Sequence, residues 1–126
     1  MEEKKMAQFI DQPIVIEAVG NKPKIIEEYI GSVNSDTKEL SIARIRSPPG
    51  WLKHGQASDF SEYLIVLKGM LHVTTKSRVY EVKAGQAIIL AAGEWVQYST
   101  PTEEGAEYIA VCLPAFTADS VHSDEE

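Results

Sequence analysis

The chain has 126 residues, 44% of them hydrophobic, enough for one domain with its own core and too few for two ordinary ones. Its 12 Lys and Arg stand against 19 Asp and Glu, a formal charge of −7, so phosphate backbones and anionic lipid surfaces would repel it. Nucleic acid and membrane are therefore not expected as partners, and the single cysteine, Cys112, which can form no intrachain disulfide, asks for no oxidising compartment. The opening Met-Glu-Glu-Lys-Lys-Met-Ala-Gln-Phe-Ile contains no apolar run of signal-peptide length, and a cytoplasmic location is expected.

In chain order, a first strand is expected over residues 14–18. The stretch from Asn21 to Gly31 has a capping Asn, Pro23 near the first turn, two acids and a closing glycine, which predicts a short helix. A strand competes, because Ile25, Ile26, Tyr29 and Ile30 suit either. Strands then follow over 40–46, 61–67, 71–75, 79–82, 87–90, 95–99 and 108–113. Turn chemistry separates them: Pro48-Pro49-Gly50 stops one, Lys68-Gly69 reverses the next, and Lys83-Ala84-Gly85, Ala91-Ala92-Gly93 and Glu103-Glu104-Gly105 close hairpins. Short apolar runs between turns predict an all-β sandwich or barrel. Residues 117–126, polar and acidic, are expected to be partly disordered and to lie outside the fold.

Both faces of Tyr63-Leu-Ile-Val-Leu67, Ala87-Ile-Ile-Leu90 and Tyr108-Ile-Ala-Val-Cys112 are apolar, more than a sheet with one wet face needs. Either the N-terminal segment or a second copy should cover the outer face. A homodimer is the preferred reading, since twofold dimers are the commonest closed assembly.

The chemistry-bearing stretch runs from His54-Gly-Gln56 through Glu62 to Gly69, followed by Gly85-Gln-Ala-Ile-Ile-Leu-Ala-Ala-Gly93. Two donors at i and i+2, a carboxylate six residues on and a glycine closing the strand resemble the first signature of the cupin family. The second glycine-bounded stretch resembles its second signature, and the likeness covers residues 40–114. It implies a double-stranded β-helix, a jelly-roll barrel, with residues 1–39 (a strand and the short helix) packed on it and 115–126 as an acidic tail. The family's first motif usually carries His-x-His and its second another histidine; this chain has Gln56 and Val96 there. The spacing from Gln56 to Glu62 is also longer than usual, which leaves Asp59 as an alternative to Glu62.

If extended, His54 and Gln56 point the same way. The resemblance then implies one divalent metal (Mn, Fe, Ni or Zn) on His54, Gln56 and Glu62, with open positions that suit catalysis. The preferred alternative is a site without metal, in which the three are hydrogen-bonded pocket polars. Val96, Tyr98 and Thr100 share the strand face that looks inward in the cupin pattern, so Tyr98 is either a proton donor to a ligand or a core tyrosine with a satisfied hydroxyl. Trp51 and Trp95 flank the motif turns, as ligand walls or as packing. Arg44 and Arg46 share a face: turned inward they would bind an anion, turned outward they would pair with the surplus acids. Trp51, Val96 and Arg44 are the candidate pocket wall. His72 and His122 are expected to point outward, and Cys112 to be a small buried hydrophobe.

Fold alone does not choose a function. The preferred reading is a small cupin-fold protein that binds a small polar ligand in the barrel with weak or no metal. The alternative is a metal-dependent enzyme of dioxygenase, isomerase or lyase type acting on a small oxygenated metabolite.

Overall fold

The computed structural model describes residues 6–18 and 21–124. They form eleven strands: β1 (Ile14–Ala18), β2 (Lys24–Ile30), β3 (Ser41–Ser47), β4 (Trp51–Leu52), β5 (Gln56–Ser58), β6 (Ser61–Thr75), β7 (Val79–Lys83), β8 (Ala87–Leu90), β9 (Val96–Thr100), β10 (Ala106–Leu113) and β11 (Val121–Ser123). All pairings are antiparallel, and the strands join as one curled sheet in the order β1-β2-β3-β10-β6-β9-β5-β11, with β7 and β8 on β6 and β4 on β9. The architecture is all-β.

The curl comes from β6. Its first half pairs with β10 and β8, its second half with β7 and β9, so one 15-residue strand belongs to both halves of the sheet. A reversal was expected at Lys68-Gly69; the chain bends there and continues as the same strand. Gly69 has a φ of +73°, and a Cβ on it would lie 2.1 Å from the carbonyl oxygen of Gly105. The register against β10 shifts between Glu107 and Tyr108, opposite the bend, as a bulge that adds twist would require.

The expected helix over 21–31 is instead strand β2; among the described residues the helical element is the three-residue 3-10 turn Ala118–Ser120. Lys24 and Glu28 are buried, and Ile26 packs on the core, which is a period of two. Ile25, Ile26 and Ile30 are β-branched, and pairing with β1 on one side and β3 on the other satisfies the backbone. Here tertiary pairing overrides the capping signals. The following loop is held by the Glu28 carboxylate, whose Oε2 accepts from Val33 N at 3.1 Å and Asn34 N at 3.0 Å.

The segment expected to lie outside the fold also takes part in it. β11 pairs with β5, Ser120 O accepts from Asp59 N at 2.8 Å, and Asp124 N donates to Gly55 O at 2.8 Å. Phe116 meets Phe60 edge to face with centroids 6.0 Å apart. Trp95 lies across Gly55, where a Cβ would meet the indole at 2.2 Å, and its Nε1 donates to Asp124 Oδ2 at 3.0 Å. Residues 125 and 126 lie outside the described residues.

The core is built from alternate positions: Leu64 and Val66 of β6, Leu71 and Val73 beyond the bend, Val96 and Tyr98 of β9, and Ala106, Tyr108 and Ala110 of β10. On the other face, Tyr63, Ile65, Leu67 and Ile89 remain exposed, Ile89 by 68%. The N-terminal strands do not cover that face, because β1 and β2 extend the sheet within its own plane.

The glycines give a matched test. Gly69→Ala should cost about 3 kcal/mol, a positive-φ penalty plus the clash with the Gly105 carbonyl, whereas Gly85→Ala, with a φ of +85° and nothing within 4 Å of the added carbon, should cost only about 1 kcal/mol. Urea unfolding of both variants checks this; equal costs would remove the close approach as the reason for Gly69.

Candidate functional site

The curled sheet encloses a cavity of about 390 Å³. Its wall is mostly apolar: Ile16 and Ile26 of the N-terminal strands, Ala43 and Ile45 of β3, Leu64 of β6, Ala110 of β10, and Phe116, Ala118 and Val121 from the C-terminal segment. Into it project Lys24, Lys53, Gln56, Glu62 and Tyr98. This is the usual makeup of a small-molecule site, an apolar enclosure with a few convergent polar groups.

Glu62 and Tyr98 face each other from β6 and β9, and the Tyr98 hydroxyl donates to Glu62 Oε1 at 2.6 Å. Burial pushes the Glu62 carboxyl upward, while the Tyr98 hydrogen bond and the Lys24 and Lys53 ammoniums pull it back. Tyr98 is held well above the ordinary phenol range by burial and then by the neighbouring carboxylate, so it remains a donor at physiological pH. Cys112 is raised by burial and by Glu62, and is an inert thiol.

Lys24, on the inward side of β2, is 8% exposed. Its ammonium lies over the Trp51 ring, 4.3 Å from the centroid, and makes no hydrogen bond among the described residues. Burial, reinforced by the charge of Lys53 and opposed by that of Glu62, lowers it from 10.5 to about 8. Lys53 is lowered for the same first reason and donates to Gln56 Oε1. The Gln56 amide nitrogen in turn faces Ser58 Oγ at 3.4 Å.

The structure brings together three of the residues singled out in the sequence, Gln56, Glu62 and Tyr98. His54 is exposed, lies outside the cavity lining, and falls in the non-strand link before β5, so it does not share a strand face with Gln56. Asp59 is exposed, lies outside the cavity lining, and its Oδ1 accepts from His122 Nε2 at 3.0 Å. Trp51 is buried in the core beside Lys24, and Val96 is a core residue; neither lines the cavity. Arg44 lies on the opposite face of β3 from Ala43 and Ile45, where Arg44 and Arg46 pair with Glu27 at 3.1 and 3.4 Å and with Glu107 at 3.8 and 3.9 Å. It belongs to the outward reading of the arginines. His72 sits opposite Glu81 in the β6–β7 pair, 3.4 Å away.

The donor set does not fit a resident metal as it stands. The Gln56 amide oxygen already accepts from Lys53, one Glu62 oxygen accepts from Tyr98, and two ammoniums neighbour Glu62 where a dication would have to sit. Among the described residues no three His, Cys, Asp or Glu side chains cluster as metal ligands.

Sequence reasoning missed the two lysines. Lys24 was hidden by the helical reading of 21–31; a period of two over Lys24, Ile26 and Glu28 would have turned it inward. Lys53 stands beside His54 in the motif, and no local pattern in the sequence marks it as inward.

The cavity, the curled antiparallel sheet and its glycine-bounded bends define a cupin: residues 44–112 match the Cupin domain family (Cupin_2), and the chain belongs to it. Among solved structures it is similar to a variant of Streptomyces PAC13 with uridine, at 14% identity and a TM-score of 0.73, covering 97% of this chain and 92% of that one. The polyketide cyclase RemF from Streptomyces resistomycificus is similar at 16% identity and a TM-score of 0.72, covering 100% of this chain and 87% of the other. Oxalate decarboxylase from Bacillus subtilis matches at 16% identity and 0.73, over 94% of this chain and 33% of that one. These likenesses establish the fold. A curated relative, Endoribonuclease YbeY of Myxococcus xanthus (strain DK1622), is 34% identical over 101 residues, 80% of this chain; the chain spans about a third (34%) of that relative's length. No helix among the described residues is long and apolar enough to cross a membrane.

Because Lys24 has its folded-state value depressed from 10.5 to about 8, it is charged and buried at pH 7 and its cost is relieved only as the folded state deprotonates. Its contribution to stability therefore rises with pH between about 8 and 10.5. Lys24→Met should be more stable than the parent at pH 7 by roughly 2–3 kcal/mol, at about 1.4 kcal/mol per pKa unit less the lost cation–π contact, and the gap should close by pH 10.5. Urea midpoints at the two pH values measure it; a gap independent of pH would mean that Lys24 is not desolvated.

Proposed function

We propose that this protein is a cytoplasmic cupin whose jelly-roll barrel binds a small organic molecule with an apolar body and a polar, electron-rich end, without a resident metal. The observation that carries the reading is the convergence of Lys24, Lys53, Glu62 and Tyr98 on one mostly apolar cavity of about 390 Å³. A volume of this size suits a metabolite of moderate size. Two ammoniums favour anionic or carbonyl oxygens, and the Glu62–Tyr98 pair, its hydroxyl proton already given to the carboxylate, supplies acceptor oxygens for a donor elsewhere on the ligand. Glu28, the other carboxylate on the wall, is engaged by the backbone of its own loop. Two similar structures, one with uridine and one a polyketide cyclase, are consistent with small organic ligands on this fold. The nuclease activity in the name of the Myxococcus relative is not carried over, since the chain spans a third of that protein and its charge of −7 opposes RNA.

Benzoate and uridine are suitable probes for the cavity. Titrated into isotope-labelled protein, at least benzoate should shift amide resonances of β2, β6 and β9 and leave β7 unmoved. Shifts absent for both, or scattered over the surface, overturn the cavity reading. The metal-dependent alternative is tested on the same preparation. Mn, Fe(II), Ni or Zn salts at saturating concentration should leave the melting temperature unchanged, whereas a metal bound at 100-fold its Kd would stabilise by about 2.7 kcal/mol. Near-stoichiometric metal that is lost in His54→Ala would establish the alternative.

We also propose that a second copy covers the outer sheet face. Cross-strand neighbours Ile89, Tyr63, Val111 and Ile42 run across β8, β6, β10 and β3 as an uncharged band on a strongly acidic chain. A like surface is the complement such a band fits best, in a twofold, self-complementary contact. Ile65→Lys, on the same face and 48% exposed, should convert a dimer to a monomer in sedimentation velocity without loss of fold; a parent that is itself monomeric at micromolar concentration overturns the assignment.

A further inference from the structure

We propose that Lys24 is a covalent site: its ε-amine forms a reversible Schiff base with a small carbonyl compound held in the cavity, a 2-oxo acid being the class the neighbouring groups fit best. The proposal rests on the reading of the cavity as a small-molecule site and deepens it. Lys24 is more than nine-tenths buried, projects into the cavity, and has no hydrogen-bond partner among the described residues; its contact is the face of Trp51. A lysine placed only for stability would be paired or would reach solvent. This one is kept dry, aimed at the space a ligand would fill, and left with its amine available.

The surroundings supply what imine formation needs. Nζ, as the free amine, attacks the carbonyl carbon; the C–O π pair moves to oxygen, which takes a proton while nitrogen loses one. The resulting carbinolamine expels its hydroxyl group as water, taking a proton from the Glu62–Tyr98 pair on departure, and the protonated imine left behind returns one to that pair. Carbonyl compound and amine give imine and water, with no change of oxidation state and no further reactant. The hydrogen-bonded Glu62 and Tyr98 pair lines the same cavity and can hold and return the proton. Lys53, also on the wall, offers its ammonium to a carboxylate beside the reacting carbonyl.

Desolvation and a neighbouring cation are the recognised means of keeping a lysine partly unprotonated near neutral pH. The charged groups that act on Lys24 are Lys53, before β5, and Glu62, on β6; Tyr98 on β9 and Tyr108 and Cys112 on β10 stay neutral because each is raised. With Lys24 at about 8 against the ordinary 10.5, its free-amine fraction at pH 7 exceeds that of an ordinary lysine by a factor on the order of a hundred.

Borohydride trapping tests it on the full chain. Pyruvate (the 2-oxo acid probe) and benzaldehyde (a neutral aldehyde) are incubated separately at pH 6, 7 and 8, reduced, and the adduct is located by peptide mass mapping. Pyruvate should label Lys24 at least tenfold above Lys76 and Lys83, with yield rising from pH 6 to 8, and Lys24→Met should lose that label. Labelling by benzaldehyde alone would keep the Schiff base and overturn the 2-oxo acid assignment. No adduct on Lys24 from either probe, or labelling spread evenly over the lysines, overturns the proposal. Lys53→Met provides a second variant: it should retain the Lys24 adduct while weakening the advantage of pyruvate over benzaldehyde. Benzoate shifts that persist without any adduct would leave the cavity reading standing while the covalent proposal falls.

Discussion

One strand sets the shape of this molecule. β6 is paired along its first half with β10 and β8 and along its second half with β7 and β9, so the angle at Gly69 fixes how the two halves of the sheet face each other. That angle needs a positive φ and a backbone approach that no side chain tolerates. Everything inward depends on it. Glu62 and Leu64 before the bend and Leu71 and Val73 after it point into one interior only because the strand turns between them.

An interior made this way is apolar, and it contains charged groups. Burying an ion costs several kcal/mol unless it is compensated, and compensation here is uneven. Glu28 accepts two backbone N–H groups at Oε2, whereas Glu62 accepts from the Tyr98 hydroxyl and, at 3.9 Å, from the Cys112 thiol, and takes the rest from the charges of Lys24 and Lys53. Among the described residues, Lys24 has an aromatic face and the charge of Glu62 but no hydrogen bond. Such uncompensated groups are the places where stability has been given up for something else, and their convergence in a cavity makes ligand chemistry the natural recipient. The Glu27, Arg44, Arg46 and Glu107 ladder on the outer face is the contrast: it is mutually satisfied and partly solvated, and it lies away from the cavity.

Much of the frame was legible in the sequence because turn chemistry is local. Glycines and prolines bounded most of the strands to within a residue or two, and strands 14–18 and 87–90 were read with the boundaries observed. The errors share a cause. Asn21, Pro23 and Gly31 carry helix signals that hold only in isolation, and pairing with β1 and β3 outweighed them. Lys68-Gly69 was read as a reversal because a positive-φ glycine looks the same in a hairpin and in a bent strand. For the site, Gln56, Glu62 and Tyr98 were visible through motif position. His54 was expected to share a face with Gln56, and the structure puts it in the link before β5, exposed and outside the cavity lining. Lys24 was invisible for a deeper reason: nothing local marks a lysine that its fold will bury.

The strand β11 carries a consequence for how the binding space comes into being. Val121 and Ser123 line the same cavity as Ile16 and Ala18, so residues more than a hundred positions apart close one chamber. During synthesis the cupin motifs can leave the ribosome and pair while the chamber still lacks a wall. It is completed only when Trp95 settles over Gly55 and Asp124 reaches both the indole and the Gly55 carbonyl. Extensions fused directly after residue 124 would therefore act at the edge of the chamber, and a chain cut at Pro114 would keep every family motif while losing its last side.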